Sequence, residues 1–418
     1  MSSSRRADPN APLSQERYMS SPEFVELRAI SGAAVAMRSA VLTSPAKREL
    51  LWFIQGMSLS EGGIKQLAKD IVKLFPKRFI PVEAWKLDDK YWDDYDGESG
   101  PEPSAEASAG FALERRPPRL SEWDRGQRAQ SLEEFLIDLC INPRLQIRLE
   151  GESEVQQLAT ELETERTKGE FPELDGADFR KAELVYFRNI VGALVEYKRR
   201  FEERVKAEFC HTAFSRKIWA LLDYALKTKT MIVLDGLEGR GKTEAIRAWC
   251  LCHLGVARFI SLIGTNTKTS HFTQFAKAFG IGHGSSYKVS EMQRSIQKVL
   301  QSSHLMPVID EAHHFFNQAP RMKTRPEMLD WIDTALCNPP LPVALVTTPQ
   351  FMVCMERAID QVGWNYRQFK RRCKRYCRLP AKNTPEDIEA VARHLFPGAG
   401  RATIKQVLAY EALSSRVR

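Results

Sequence analysis

Residues Thr230–Arg247 read TMIVLDGLEGRGKTEAIR, and the rest of the chain is organised around them. Met231–Leu234 is a short apolar run of the kind that makes a buried strand. Gly236, Gly239 and Gly241 follow, then Lys242 and Thr243 at the start of a helical pattern. The spacing is G-x-x-x-x-G-K-T between strand and helix, the pattern of a phosphate-binding P-loop. Glycines let successive backbone N–H groups turn inward on phosphate oxygens, and the helix N-terminus adds its positive dipole end. Lys242 can reach the outer phosphates of a nucleotide, and the Thr243 hydroxyl can hold Mg²⁺. Arg240 and Glu244 flank them in the same candidate site. ATP and Mg²⁺ are the expected cofactors. The alternative is a Gly-rich turn that binds nothing, and it leaves the filled lysine and threonine positions without a purpose.

Length and charge frame this stretch. A chain of 418 residues is too long for one ordinary core and implies two or three domains. A net charge of +8 and a pI near 9.0 fit a polyanionic partner, although many soluble proteins are as basic without one. No apolar run approaches the roughly 20 residues needed to cross a bilayer. The N-terminal MSSSRRADPNAPLSQ lacks the apolar segment of a signal peptide. A cytoplasmic protein with no membrane association is the expectation. Eight cysteines occur without a C-x-x-C pair, and nothing completes a zinc site around Cys373 and Cys377, so reduced thiols are expected.

Residues 1–22 read as a flexible tail and 23–92 as a helical N-terminal module. RELLWFIQGM and IKQLAKDIVKLF carry apolar residues at helical spacing, and Gly62-Gly63 suits a turn between two helices. That arrangement is either a helix-turn-helix that reads DNA or a plain helical docking unit. Residues 93–130 form a linker, acidic and rich in Ser, Pro, Gly and Ala at its start. Residues 131–204 are again helical, and KAELVYFRNIVGALVEYKRRFEERVKAEF predicts a long amphipathic helix packed on the core or, alternatively, a coiled-coil contact. Residues 205–380 alternate strand and helix patterns, with strands expected at Arg258–Ile263, around Val308-Ile309, at Pro342–Thr348 and at Arg375–Leu379. The fold class is therefore α/β, a parallel sheet with helices on both faces and a mostly helical N-terminal region. Pro307 is expected at its strand's first position, where no ladder N–H is lost. Residues 381–418 predict a short helical lid, with Thr384 as N-cap and Pro385 at the first helical position.

Asp310 and Glu311 are the second decisive pair. An apolar strand ending in Asp-Glu downstream of a P-loop matches the acidic motif of nucleotide hydrolases. Asp310 would hold Mg²⁺ directly or through water, and Glu311 would orient and polarise the attacking water. The competing reading is a surface pair capping a helix. NYRQFKRRCKRYCR follows, with Arg367, Lys370, Arg371, Arg372, Lys374, Arg375 and Arg378 and no acid among them.

With GLEGRGKT, TNTKTSHFTQFAKAFG, VIDEAHHFF, VTTPQF and RLPAKNTPEDIEAVARHLF in place, residues from about 205 to 418 resemble an AAA+ ATPase. The group is that of phage Mu B, the TnsC and TniB transposition proteins and the ExeA-like ATPases. DEAH also occurs in two-lobed helicases, but too little chain follows Asp310 for a second lobe. The N-terminal 200 residues resemble no named family. The resemblance implies several roles. Thr347 or Thr348, at the tip of its strand, would sense the γ-phosphate. The basic run would supply an arginine finger (Arg367, Arg371 or Arg372) to a neighbouring subunit; a solvated basic face or a nucleic-acid contact are the alternatives. Arg401 in GAGR would make a second phosphate contact. The loop GTNTKTSH, with Lys268 flanked by Thr267 and Thr269, would contact duplex DNA phosphates. The implied protein is a homo-oligomeric ring or helical filament on double-stranded DNA, which marks a target and recruits or activates a transposase. A secretion- or defence-associated switch acting on a protein partner, and a nucleic-acid loader, are the competing classes.

Overall fold

The computed structural model describes residues 30–75, 125–142, 176–264, 267–283, 287–316, 325–336 and 340–398, with a few isolated positions besides. The expected tail, most of the expected linker and Arg401 lie outside them.

Ser31 caps α1 (Gly32–Arg38) by accepting from Ala34 N. Helix α2 (Pro45–Ser58) starts with Pro at its first turn and is buried from Leu50 to Ser58 without a break, so it runs through the interior. Leu59–Gly62 turn the chain, and Gly62 at φ 82° occupies the left-handed region that favours glycine. The turn expected at Gly62-Gly63 is there. Helix α3 (Gly63–Leu74) then buries Ile64, Leu67, Ala68, Ile71 and Val72, the i, i+3, i+4, i+7, i+8 stripe of a helix on a core.

Helix α4 (Arg125–Ile141) begins inside the expected linker. Its first described buried apolar residue is Ala129 and its bulky ones start at Leu132, so composition alone hides its beginning. Helix α5 (Gly176–Glu208) is the long amphipathic helix. It packs against α2 and α3, and Lys198 bridges Glu49 of α2 at 2.8 Å and its own Glu202 at 2.7 Å. Helix α6 (Ala213–Thr228) opens with a reciprocal Thr212/Ser215 capping box and buries Phe214, Ile218, Leu222 and Ala225.

The core follows, its strands separated by one or two α-helices. The order is β1 (Met231–Asp235), α7 (Lys242–Cys252), β2 (Ala257–Ser261), α8 (Lys268–Ala278), α9 (Val289–Ser303) and β3 (Met306–Asp310). Then come the short α10 (Glu327–Trp331), β4 (Val343–Thr347), α11 (Gln350–Val362), α12 (Tyr366–Arg372), β5 (Cys373–Arg378) and α13 (Pro385–Leu395). The five strands are parallel, in the order β2-β3-β4-β1-β5. Met231 and Val233 of β1 join the apolar cluster on one face, and Ile232 and Leu234 the cluster on the other. Helices α6 and α7 cover the second face. The first face is continuous with α1 to α5 in a single apolar cluster.

Three strand expectations shift. β2 is Ala257–Ser261 rather than Arg258–Ile263, β4 is Val343–Thr347 rather than Pro342–Thr348, and β5 is Cys373–Arg378 rather than Arg375–Leu379. Pro307 is the second residue of β3, not the first. The placement is tolerated because Met306 N donates toward the β2 side, to Val256 O at 2.8 Å. By alternation Pro307 faces β4, whose pairing with β3 starts only at Val308. Thr384 caps α13 as expected, accepting from Asp387 N at 3.1 Å. Asp387 in turn accepts from Ala213 N at 2.6 Å, which ties α13 to the start of α6. The described cysteines are free thiols. Among the described residues no helix is long and apolar enough to cross a membrane.

Candidate nucleotide site

The chain leaves β1 at Asp235 and turns through Gly236–Gly241 into α7. Gly241 is the N-cap of α7 at φ 78°, a left-handed position where a side chain is strained. The turn points the first backbone N–H groups of α7 into the loop. Lys242 lies at the head of α7 with 5% exposure. Its Nζ donates to Gly236 O at 2.6 Å and Leu237 O at 2.8 Å, so the ammonium sits within the loop itself. Burial pulls its pKa below the usual lysine range, while Glu311, Asp310, Glu238 and Asp235 nearby oppose that shift. Arg240 is half-buried. Glu244 is exposed and faces Arg247 along α7 at 3.6 Å.

Strand β3 brings its acidic pair to the same place. Thr243 Oγ1 donates to Asp310 Oδ2 at 2.7 Å, and Glu311 N donates to Asp310 Oδ1 at 3.0 Å. Asp310 is fully buried, and that burial raises its pKa. A hydroxyl and a buried carboxylate meeting beside a lysine form the all-oxygen donor pair a hard divalent cation takes, so these residues fit Mg²⁺. Glu311 stands at φ 59°, one of the few non-glycine residues in the left-handed region. Such a conformation costs on the order of 1 to 3 kcal/mol and clusters at functional sites. Burial, then the neighbouring Asp310, raise the Glu311 pKa.

The tip of β4 completes the floor. Gly236 N donates to Thr347 O at 3.1 Å, locking the P-loop base to β4. The Thr347 hydroxyl turns to Thr348 O at 3.3 Å. The Thr348 hydroxyl is buried and makes no hydrogen bond. An orphaned buried hydroxyl at this tip is what a phosphate oxygen would satisfy, so of the two expected threonines Thr348 is the one whose side chain is available.

The remaining expected residues lie elsewhere. Arg367 and Arg371 are exposed on α12. Arg372 is held within its own chain, its Nε 3.3 Å from Asp333 Oδ1 and its Nη1 donating to Asp333 O. Lys268 and Thr269 are on the first turn of α8, not in a loop. The Thr267 hydroxyl accepts from Ser270 N as the α8 N-cap, and Lys268 Nζ bridges Glu327 at 2.7 Å. Two neighbours of the site are given no role by the motif reading. Asp235 accepts from the Tyr376 hydroxyl of β5 at 3.0 Å, and its other oxygen is buried without a partner. His313 is buried behind Glu311, and its burial drives its pKa down to about 4. The Asp directly before Gly236 and the paired histidines after Glu311 are the signals that mark them.

Comparison with curated proteins finds no match. Residues 225–355, the segment that carries the P-loop, the Asp310-Glu311 pair and the β4 tip, match the family model described as an AAA domain, which supports an AAA-type ATPase core here.

Proposed function

We propose that this chain binds ATP with Mg²⁺ and hydrolyses it to ADP and phosphate. The observation that carries the reading is the 2.7 Å contact between Thr243 and Asp310, which unites the P-loop with the acidic pair beside buried Lys242. Lys242 would release its loop carbonyls and take the β- and γ-phosphate oxygens. The α7 N-terminus would add its N–H groups and dipole. Thr243 and Asp310 would hold Mg²⁺, which neutralises charge on the phosphates. Glu311 would accept a hydrogen bond from the attacking water and orient it, and Thr348 would donate to the γ-phosphate. Little covalent work is asked of the protein; positioning and electrostatics supply the rate. Phosphate release by the full chain tests this, with Mg²⁺ present or withheld. Hydrolysis that requires Mg²⁺ supports the reading, and no release in its presence refutes it.

At a finer level we propose that ATP drives the chain to assemble, ring-wise or as a filament, on duplex DNA and so to regulate transposition through a transposase. The motif resemblance and the +8 net charge support this, as does the exposed basic surface of Arg367, Lys370, Arg371, Lys374, Arg375 and Arg378 on α12 and β5. A DNA mobility shift that needs ATP and weakens with salt is the expected result. ATP hydrolysis without any such shift would favour a switch acting on a protein partner.

A further inference from the structure

Glu311, His313 and His314 stand together on the tight turn that follows β3. Each offers one ligand atom, and these atoms all lie within 4.8 Å of one another. His313 Nδ1 and Glu311 Oε2 are 3.3 Å apart. The His313 and His314 rings lie face to face, their centroids 4.5 Å apart and their planes tilted by 31°. His313 is 6% exposed, and its Nδ1 is buried without a hydrogen bond. A buried ring nitrogen left without a hydrogen bond costs free energy, and native structures rarely keep one without a purpose. The backbone serves the cluster: left-handed Glu311 leads directly into the 3-10 turn Ala312–Phe315, which carries both histidines.

Two imidazoles and one carboxylate are a borderline donor set. They suit Zn²⁺ and its neighbours, whereas Mg²⁺ takes oxygen ligands and keeps its waters. Ligands at about 2.0 to 2.2 Å from a tetrahedral ion stand a little over 3 Å apart, so small side-chain rotations would close this set around an ion and leave a fourth position to water. We propose that Glu311, His313 and His314 form a transition-metal site of the Zn²⁺ class, distinct from the Mg²⁺ position at Thr243 and Asp310. An ion there occupies the Glu311 carboxylate and leaves Lys242, Thr243 and Asp310 untouched. Zinc therefore blocks hydrolysis while ATP stays bound. This consequence rests on the role proposed above for Glu311; the binding of metal does not.

The test has two arms on the full chain. In the first, Zn²⁺ alone is titrated in competition with a chromophoric chelator, without nucleotide, into wild type, His313→Gln and His314→Gln. Loss of Zn²⁺ affinity of tenfold or more in both variants is expected, and a smaller loss in either folded variant overturns the site. Circular dichroism establishes folding, and half-buried His314 carries the arm alone if His313→Gln does not fold. In the second arm, phosphate release and binding of a non-hydrolysable ATP analogue are followed with Mg²⁺ in large excess as Zn²⁺ is added. Each protein is compared with its own zinc-free rate. At least tenfold inhibition of wild type is expected, reversed by a zinc-selective chelator, with analogue affinity unchanged. Zinc that binds without slowing hydrolysis, or that expels the analogue, overturns the consequence. A chain that never hydrolyses ATP fails the function proposed above and leaves the first arm to decide the metal site.

Discussion

Lys242 spends its donors on the carbonyls of Gly236 and Leu237, so phosphates must take it over from its own loop. Lys242→Ala should lower ATP affinity by roughly 100-fold or more, about 2.7 kcal/mol, and a titration with a fluorescent ATP analogue measures it. Affinity within threefold of wild type would remove the lysine from the site. The P-loop and the Asp310-Glu311 pair are legible in the sequence because each motif is local and its spacing is fixed by backbone geometry. Which of Thr347 and Thr348 keeps an unbonded hydroxyl, and that His313 is buried beside Glu311, emerge only from the fold, which no spacing of residues reports. Arg372 shows the converse: the basic run offers it as a finger, and only the fold reveals Asp333 holding it.

At the scale of elements, the contact between α2 and the sheet rests on an unusual buried cation. Arg258 on β2 is 4% exposed, and among the described residues none of its hydrogen bonds goes to a carboxylate. It donates instead to the carbonyls of Trp52, Ala257 and Leu254 and to Gln55 Oε1, the last at 2.6 Å. Gln55 Nε2 passes the network on to Ile30 O and Phe279 O, each at 3.2 Å. Gln55→Leu would leave the Ile30 carbonyl and part of a guanidinium unsatisfied, while Phe279 O keeps its bond from Gly32 N, and this should cost about 1 to 3 kcal/mol of stability. Urea unfolding checks the value, and a loss below 0.5 kcal/mol would show that the network rearranges freely. Nothing local announces this contact, because Gln55 and Arg258 lie on elements far apart in the chain. On α12, Arg367 and Arg371 are exposed and Arg372 is not free to leave. Mixing Arg367→Ala or Arg371→Ala with Lys242→Ala subunits should restore measurable hydrolysis if a finger acts across subunits. Arg372→Ala should instead lower the melting temperature. No restoration in either mixture would assign α12 to a charged surface.

Over the whole molecule, the α/β core and its alternation are readable from apolar runs and turn residues, and the α2 and α3 helices from their periodicity. The joining of those helices to one face of the sheet is not, since it depends on which apolar stripes meet. The DNA reading also belongs to this scale, because a filament multiplies a few contacts per subunit. Lys268 is paired with exposed Glu327, a bridge worth no more than about 1 kcal/mol, so phosphate could displace it. Lys268→Ala should weaken DNA binding equally on unrelated sequences and reduce its salt dependence, while Glu327→Gln should strengthen it. Unchanged salt slopes in both would move the DNA contact off α8. The central claim, that one site holds ATP and Glu311 activates the water, is tested most directly by Glu311→Gln. Analogue binding and phosphate release are measured side by side with wild type. The variant should bind the analogue as wild type does and hydrolyse ATP on the order of 100-fold more slowly. Turnover equal to wild type would contradict the account.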